Sequence, residues 1–572
     1  MIQTAAESAG SQQAAPRLRP ADRLQRGLAL AIALLVAKRL AYHLTYLVGD
    51  PFALATFSDG HVYELAARDI VAHPPLGSEP FYLQGLYAYL LAIPLAITDQ
   101  VVIGLLIQLV LAAGALWLLH RTAVSLLGAT AGALSTLVLL GYHELAFYEN
   151  KYLSVSLGAT CNALALWAAT RCLQRPGASA LVGAGAAAGL AVLGRPNLAV
   201  ALPFTAAALC LVARSAERPA MRTLLAYSLG VVLALAPMAL RNQLVIGRPD
   251  VQPSHSGGIP FYIGNNPDAN GRWNTAGGLI SGQVGRERIE LAQYLGLEIE
   301  DQAELDHAVG DAMRDQALRF IREHPGDWLA LELRKLWLTL GNHRFVRDYD
   351  ARGEAELIGG FWSSIALPFG VLLGLGALGL HAIFRRARRV RGQRAQWLGL
   401  LLVLGGQLIA VLSANLLIFT SAQNRLPLCI PLAFAAGPGL LALLALARRL
   451  PHPTWEARPV AVGASALLAL QAFAPRSQHV DRPTSVHYYN LAAVEEAIGR
   501  LEPAAEHYRR AAERNPKQPM FHLSRARVLR RLGRGADARA VLQQLAGIPD
   551  LPDAVRSAAA DEQRLLQVAK ER

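Results

Sequence analysis

Runs of roughly 20 apolar residues recur through the first 475 or so positions of this 572-residue chain and then stop. Lipid offers no partner to backbone N–H and C=O groups, so a crossing segment must satisfy them internally, and an α-helix needs about 20 apolar residues to span a core about 30 Å thick. The runs predict an all-α polytopic membrane protein. A content of 53% hydrophobic and only 17% charged residues agrees with the bilayer as solvent. Cys161, Cys172, Cys210 and Cys429 fall in or beside the runs without ligand spacing and read as small buried hydrophobes.

Eleven spans are predicted, at about 27–48, 101–119, 122–141, 153–173, 179–194, 197–213, 223–240, 361–383, 396–418, 426–447 and 458–474. A further apolar stretch at about 81–97 is read as juxtamembrane. As a crossing it would put Arg171/Arg175, Arg214/Arg218/Arg222 and the Arg385–Arg394 cluster outside, against the positive-inside rule. This reading leaves residues 1–26 as a cytoplasmic tail and 27–475 as the membrane domain, with loops 49–100, 142–152 and 241–360 outside. It also assigns the formal charge of +13 to loop clusters, and no basic stripe with interleaved aromatics points to nucleic acid. Gly183, Gly185 and Gly189 form a small-residue stripe that predicts close helix packing.

From about 485 the chain becomes charged and helical with a period of 34, pairing Ala492 with Ala526, Gly499 with Gly533 and Ala504 with Ala538. Leu491, Ala492, Ala504, Tyr508, Ala511 and Pro516 occupy the small, aromatic and proline places of a tetratricopeptide (TPR) repeat, which residues 485–572 resemble. An odd number of spans puts this TPR-like domain on the side of the large loops. Two repeats are fewer than the three usually needed for independent stability, so the domain is expected to lean on the loops or on a protein partner.

Candidate chemistry lies in the loops. Asp59, just past the first span, opens a short amphipathic segment that places a carboxylate at the membrane surface, where a base acting at a lipid headgroup has to be. The plainer reading is a solvated helix cap. Lys38, Arg39 and His43 interrupt the first span, and a cation at that depth needs a partner, either a lipid phosphate or a neighbouring carboxylate. Glu79 and Tyr82 follow in the first loop, Glu149 and Lys151 stand in the second, and Tyr262 and Asn265 lie in a turn-rich stretch from Ser254 to Pro267. Arg195, Arg241 and Arg425 fall at predicted outer ends of spans, against the positive-inside trend, and an anionic lipid headgroup would explain them together. No ligand spacing supports a metal, and no cofactor is assigned; His143-Glu144 lacks the second histidine of HExxH.

Asp59, the phrase Gly257-Gly258 through Phe261-Tyr262-Ile263-Gly264-Asn265-Asn266-Pro267, and Arg425-Leu426-Pro427 resemble bacterial members of the protein O-mannosyltransferase and aminoarabinose-transferase group. These are C-superfamily (GT-C) membrane glycosyltransferases, family 39-like, and the resemblance covers roughly residues 25–450. It implies transfer of a sugar from a polyprenyl phosphate to an extracytoplasmic protein, lipid or glycan, with inversion. Asp59 would be the base, and Lys38, Arg39, Lys151, Arg195, Arg241 and Arg425 would hold the lipid phosphate. Glu79, Tyr82, Glu149, Tyr262 and Asn265 would contact sugar or acceptor. Two departures stand out: Gly60 where many relatives carry a second acid, and Gln423 where an arginine is usual. The partners expected are the donor, membrane lipids and a protein docked on the TPR-like domain. The Ala-, Leu- and Arg-rich style suggests the inner membrane of a bacterium. A non-catalytic scaffold recruiting envelope partners is the alternative.

Overall fold

The computed structural model describes residues 20–251, 257–273, 287–299, 302–342, 348–364, 366–447, 454–474, 483–549, 551 and 553–571. The described residues are all α-helical apart from turns and short 3-10 segments. The first half comprises α1 (Pro20–Gly49), α2 (Asp59–Ala72), α3 (Gly85–Thr98), α4 (Val102–Leu127), α5 (Ala129–Gly141), α6 (His143–Glu149), α7 (Ser154–Gln174), α8 (Ala178–Gly194), α9 (Ala201–Ser215) and α10 (Ala220–Ile246). The long loop holds α11 (Gly258–Gly264), α12 (Glu287–Leu295), α13 (Gln302–Glu323), α14 (Pro325–Thr339), α15 (Ala351–Ile358) and α16 (Phe361–Ser364). Next come α17 (Phe369–Arg389), α18 (Arg394–Leu417), α19 (Ala422–Arg425), α20 (Cys429–Ala447) and α21 (Pro459–Gln471). The C-terminal unit is α22 (Pro483–Ala497), α23 (Leu501–Arg514), α24 (Pro519–Arg531), α25 (Gly535–Ala546) and α26 (Asp553–Glu571).

Among the described residues, seven segments are long and apolar enough to cross a membrane: 22–49, 102–127, 196–215, 220–246, 369–389, 391–417 and 422–447. The shorter apolar helices α3, α5, α8 and α21 fall below that length. Leu30, Leu34, Leu225 and Leu233 are more than half exposed on the outside of the bundle, as a lipid-facing surface requires. The break expected between 119 and 122 is absent. His120 and Arg121 continue α4, and the chain turns instead at Gly128, whose φ of 90° closes the helix. Helix α3 has 14 residues, about 21 Å at 1.5 Å per residue, and packs on α2.

Part of the small-residue stripe acts as expected. A Cβ on Gly185 would lie 1.9 Å from the Tyr227 carbonyl oxygen, and one on Gly230 2.0 Å from that of Val182, so α8 and α10 cross backbone to backbone. Gly183 takes no part, having nothing within 4 Å of where its Cβ would lie. All four cysteines are free, and all but Cys210 are buried.

Two ends of the bundle differ in chemistry. Loops 49–100 and 142–152 and the long loop gather at one, called the loop end below. At the other lie Arg171, which ends α7 (begun at Ser154 beside loop two), and the arginines that end α17. The C-terminal unit sits at the loop end. Asn490 Nδ2 donates to the Asp348 carbonyl at 2.8 Å, His487 packs edge-on to Phe52 with ring centroids 5.6 Å apart, and Arg514 pairs with Glu356 at 3.2 Å.

Candidate active site at the loop end of the bundle

Asp59 is the first residue of α2, and Ser58 before it has φ 52°, a left-handed conformation uncommon for a side-chain-bearing residue. Strain of that kind costs about 1–3 kcal/mol and persists only where surrounding structure fixes it. Here the Gly60 N–H donates to the Phe57 carbonyl at 2.9 Å and Tyr152 Oη donates to the Ala53 carbonyl at 2.7 Å. Gly60 lies against Tyr152, and a Cβ at position 60 would be 3.0 Å from both the Tyr152 Cβ and its carbonyl oxygen. The missing second acid therefore has a steric reason in this chain: loop two closes over that position.

Asp59 is partly exposed and interacts electrostatically with Arg195, Tyr63 and Tyr349. Arg195 is 9% exposed, and its Nε and one terminal nitrogen are buried without a hydrogen-bond partner among the described residues. Its stem lies over Gly158 of α7, where a Cβ would fall 2.5 Å from Arg195 Cγ. Tyr148 completes the electrostatic surroundings of Arg195, and the Tyr63 hydroxyl bonds Gln84 and, at 3.0 Å, Ser154 Oγ. A carboxylate able to take a proton thus stands near a guanidinium with two nitrogens left unpartnered among the described residues.

The other predicted cations are engaged within the protein. Arg39 Nε donates to Glu149 at 2.9 Å, and His43 Nε2 lies 3.4 Å from the same carboxylate. Burial alone would raise the pKa of Glu149, but Arg39 and His43 hold it below the usual carboxylate range. Lys151 pairs with Glu354 and lies over the Tyr46 and Phe147 rings, 4.0 and 4.6 Å from their centroids. Arg241 donates to the Leu76 and Glu79 carbonyls and stacks 3.9 Å over Phe81, pinning the first loop. Arg425 bonds Glu144 at 3.2 Å and the Gly341 carbonyl. Lys38 is partly exposed on α1.

The predicted sugar contacts divide similarly. The Glu79 side chain is exposed, while Tyr82 and Tyr262 join an apolar cluster with Ile259, Met313 and Phe419. Asn265 uses its amide on the Phe261 and Leu417 carbonyls, at 2.8 and 2.7 Å, and its oxygen on Trp328 and Lys335, so it staples the long loop to the end of α18. Ser254, His255 and Ser256 lie outside the described residues. Sequence reasoning missed Glu144 and Glu354 as partners of Arg425 and Lys151, and Gln108, whose amide bonds the Glu149 and Lys151 carbonyls at 2.7 and 2.8 Å. A lone glutamine in an apolar run was the available signal for the last.

With this geometry in place, comparison with protein families gives one match, over a stretch that contains Tyr148, Lys151 and Arg195 but not Asp59. Residues 84–240 match the dolichyl-phosphate-mannose-protein mannosyltransferase family. Curated proteins give no significant match. Among solved structures, an Archaeoglobus fulgidus oligosaccharyltransferase in complex with zinc and sulfate is similar at 16% identity, over 77% of this chain and 52% of that one, with a TM-score of 0.37. ArnT from Cupriavidus metallidurans bound to undecaprenyl phosphate is similar at 15% identity, over 79% of this chain and 90% of that one, with a TM-score of 0.31. The chain spans about half the length of the Archaeoglobus enzyme it matches.

Proposed function

We propose that the chain transfers a sugar from a polyprenyl phosphate to a hydroxyl acceptor at the loop end of the bundle. The observation that carries this reading is the buried Arg195 guanidinium, with two unpartnered nitrogens, beside Asp59. Asp59 takes the acceptor proton, the acceptor oxygen attacks the anomeric carbon from the face opposite the phosphate, and the configuration inverts. The polyprenyl phosphate departs with its negative charge, which Arg195 receives through fixed N–H donors in a site shielded from water. Lys38, on α1, adds positive charge along the lipid's path, while Arg39 is held by Glu149. The loop end is extracytoplasmic in this reading, the membrane is a bacterial inner membrane, and residues 485–572 are a TPR-like cap.

The test is transfer from a radiolabelled panel of polyprenyl-phosphate sugars by the wild type and by Asp59→Asn, which keeps size and polarity. Loss of transfer with retained donor binding supports the base and names the donor. Transfer that survives the substitution removes Asp59 from the mechanism.

A further inference from the structure

The opposite end of the bundle carries a second basic site that the transfer reaction does not use. The segment 385–394 has six arginines and no acid, and the facing segment 454–458 adds Arg458 and a single acid, Glu456. Glu456 is shared by Arg389 and, at 3.8 Å, Arg385. Positive charge exceeds negative several-fold among the described residues there.

Arg386 is held unlike an ordinary loop arginine. Its guanidinium lies 4.8 Å from the Trp397 ring centroid and 5.1 Å from that of Trp455, two indoles set edge-to-face at 85° and 5.9 Å. Both tryptophans are buried, at 5% and 1% exposure. Rings that restrain a guanidinium leave its edge to present N–H donors, the geometry that suits a phosphate. The carbonyl of Thr454 accepts one weak bond from Arg386 at 3.4 Å. The Nε atoms of Arg385 and Arg386, Trp397 Nε1 and His381 Nε2 are all buried without a hydrogen-bond partner among the described residues. Buried donors left unmatched cost about 1–3 kcal/mol each unless something accepts from them.

We propose that this cluster binds the phosphate of an anionic phospholipid in the leaflet opposite the candidate active site, with Arg386 between Trp397 and Trp455 as its anchor. The position suits a headgroup. The arginines end α17 and begin α18, both long enough to span, so the cluster lies at the depth where polar and hydrocarbon layers meet, and indoles favour that layer. A soluble phosphate shares the chemistry but would gain nothing from the adjoining apolar helices.

The full-length protein, purified and delipidated, would be titrated with dioleoyl phosphatidylglycerol or phosphatidylcholine and followed by native mass spectrometry. Wild type is expected to retain phosphatidylglycerol preferentially, and Arg386→Gln to bind it about tenfold more weakly, as loss of a charge-assisted contact implies. Arg171→Gln/Arg175→Gln at the same end should stay close to wild type, separating a site from a general positive field. Equal retention of phosphatidylglycerol by Arg386→Gln and wild type overturns the proposal, as does displacement of the lipid by inorganic phosphate at comparable concentration. If Arg386→Gln does not fold, wild type in nanodiscs decides. Brominated phosphatidylglycerol should quench tryptophan fluorescence more than brominated phosphatidylcholine, and equal quenching overturns the assignment.

Discussion

Arg195 and Arg425 are both buried guanidiniums at the loop end, and they differ in what their removal would leave behind. Arg425 neutralises Glu144, so Arg425→Gln leaves a buried carboxylate without its guanidinium counter-charge, a change that typically costs about 3–5 kcal/mol. A fall in melting temperature is the expected result, with activity lost through the fold. Arg195 makes no ion pair at its buried nitrogens among the described residues, so Arg195→Gln should leave the melting temperature nearly unchanged while donor binding weakens about tenfold or more. Thermal melts run beside donor titrations distinguish the two, and a large loss of stability in Arg195→Gln would place that residue in the framework. Gly60 gives a third case: Gly60→Ala pushes a methyl to 3.0 Å from Tyr152, and a loss of about 1–3 kcal/mol with reduced transfer is expected in melts and assays. The sequence marked Asp59, Arg195 and Gly60 as worth explaining, since an acid past a span, a cation against the charge trend and a departure from a resemblance are all local signals. It could not separate Arg195 from Arg241 and Arg425. Their partners are a loop carbonyl 165 residues away and a glutamate 281 residues away, and nothing local records such pairings.

Among the elements, the junction of α22 with the loops gathers Asp50, Lys151, Glu354, His487, Glu495 and His507, with Lys151 paired to Glu354 and His507 to Glu495. Burial first, then Lys151 and His507, push His487 down to about 3 from an ordinary 6.5. A base depressed in the folded state contributes stability that is full above about pH 6.5 and lost as pH falls toward 3, about 2 kcal/mol of it by pH 5. Asp50 runs the other way. Burial raises it to about 7 against the pull of Lys151, so its contribution is full below about pH 4 and lost as pH rises to 7. Between about pH 4 and 6.5 the two slopes oppose each other, so protection of the α22 amides, corrected for the intrinsic pH dependence of exchange, should be nearly flat in wild type, falling as pH rises in His487→Leu and falling as pH drops in Asp50→Asn. A profile as flat as wild type in His487→Leu would take this histidine out of the junction's pH response. The end of α4 was not legible in the sequence, which placed a break at 119–122. Gly128 ends α4, whereas His120 and Arg121 suggested a break and gave none, because His120 bonds Thr136 of the neighbouring helix at 2.9 Å and Arg121 lies over Trp117.

At the scale of the whole molecule, the charge pattern alone put the C-terminal unit on the side of the loops, and the contacts found there decide how it is held. Residues 475–482 connect it to α21 and lie outside the described residues. The contacts lie elsewhere: Asn490 with the Asp348 carbonyl, Arg514 with Glu356, Tyr488 with the same glutamate, and His487 against Phe52 and Gly353. Gly353 has no room for a side chain, since its Cβ would fall 2.1 Å from the His487 ring. If these contacts hold the unit, a protease site placed within 475–482 can be cut without releasing it near neutral pH, and the two pieces should elute together from a sizing column. Cut protein carrying Gly353→Leu should separate, because the larger side chain removes the histidine's seat while leaving the connection's sequence unchanged. Separation of the cut wild type at neutral pH would mean that the connection itself holds the unit in place. Separation of the cut Gly353→Leu pieces together with loss of transfer activity, against activity kept in the retained wild-type pair, would mean that α22 helps to hold Phe52, and through it the strained turn that presents Asp59, in its working position.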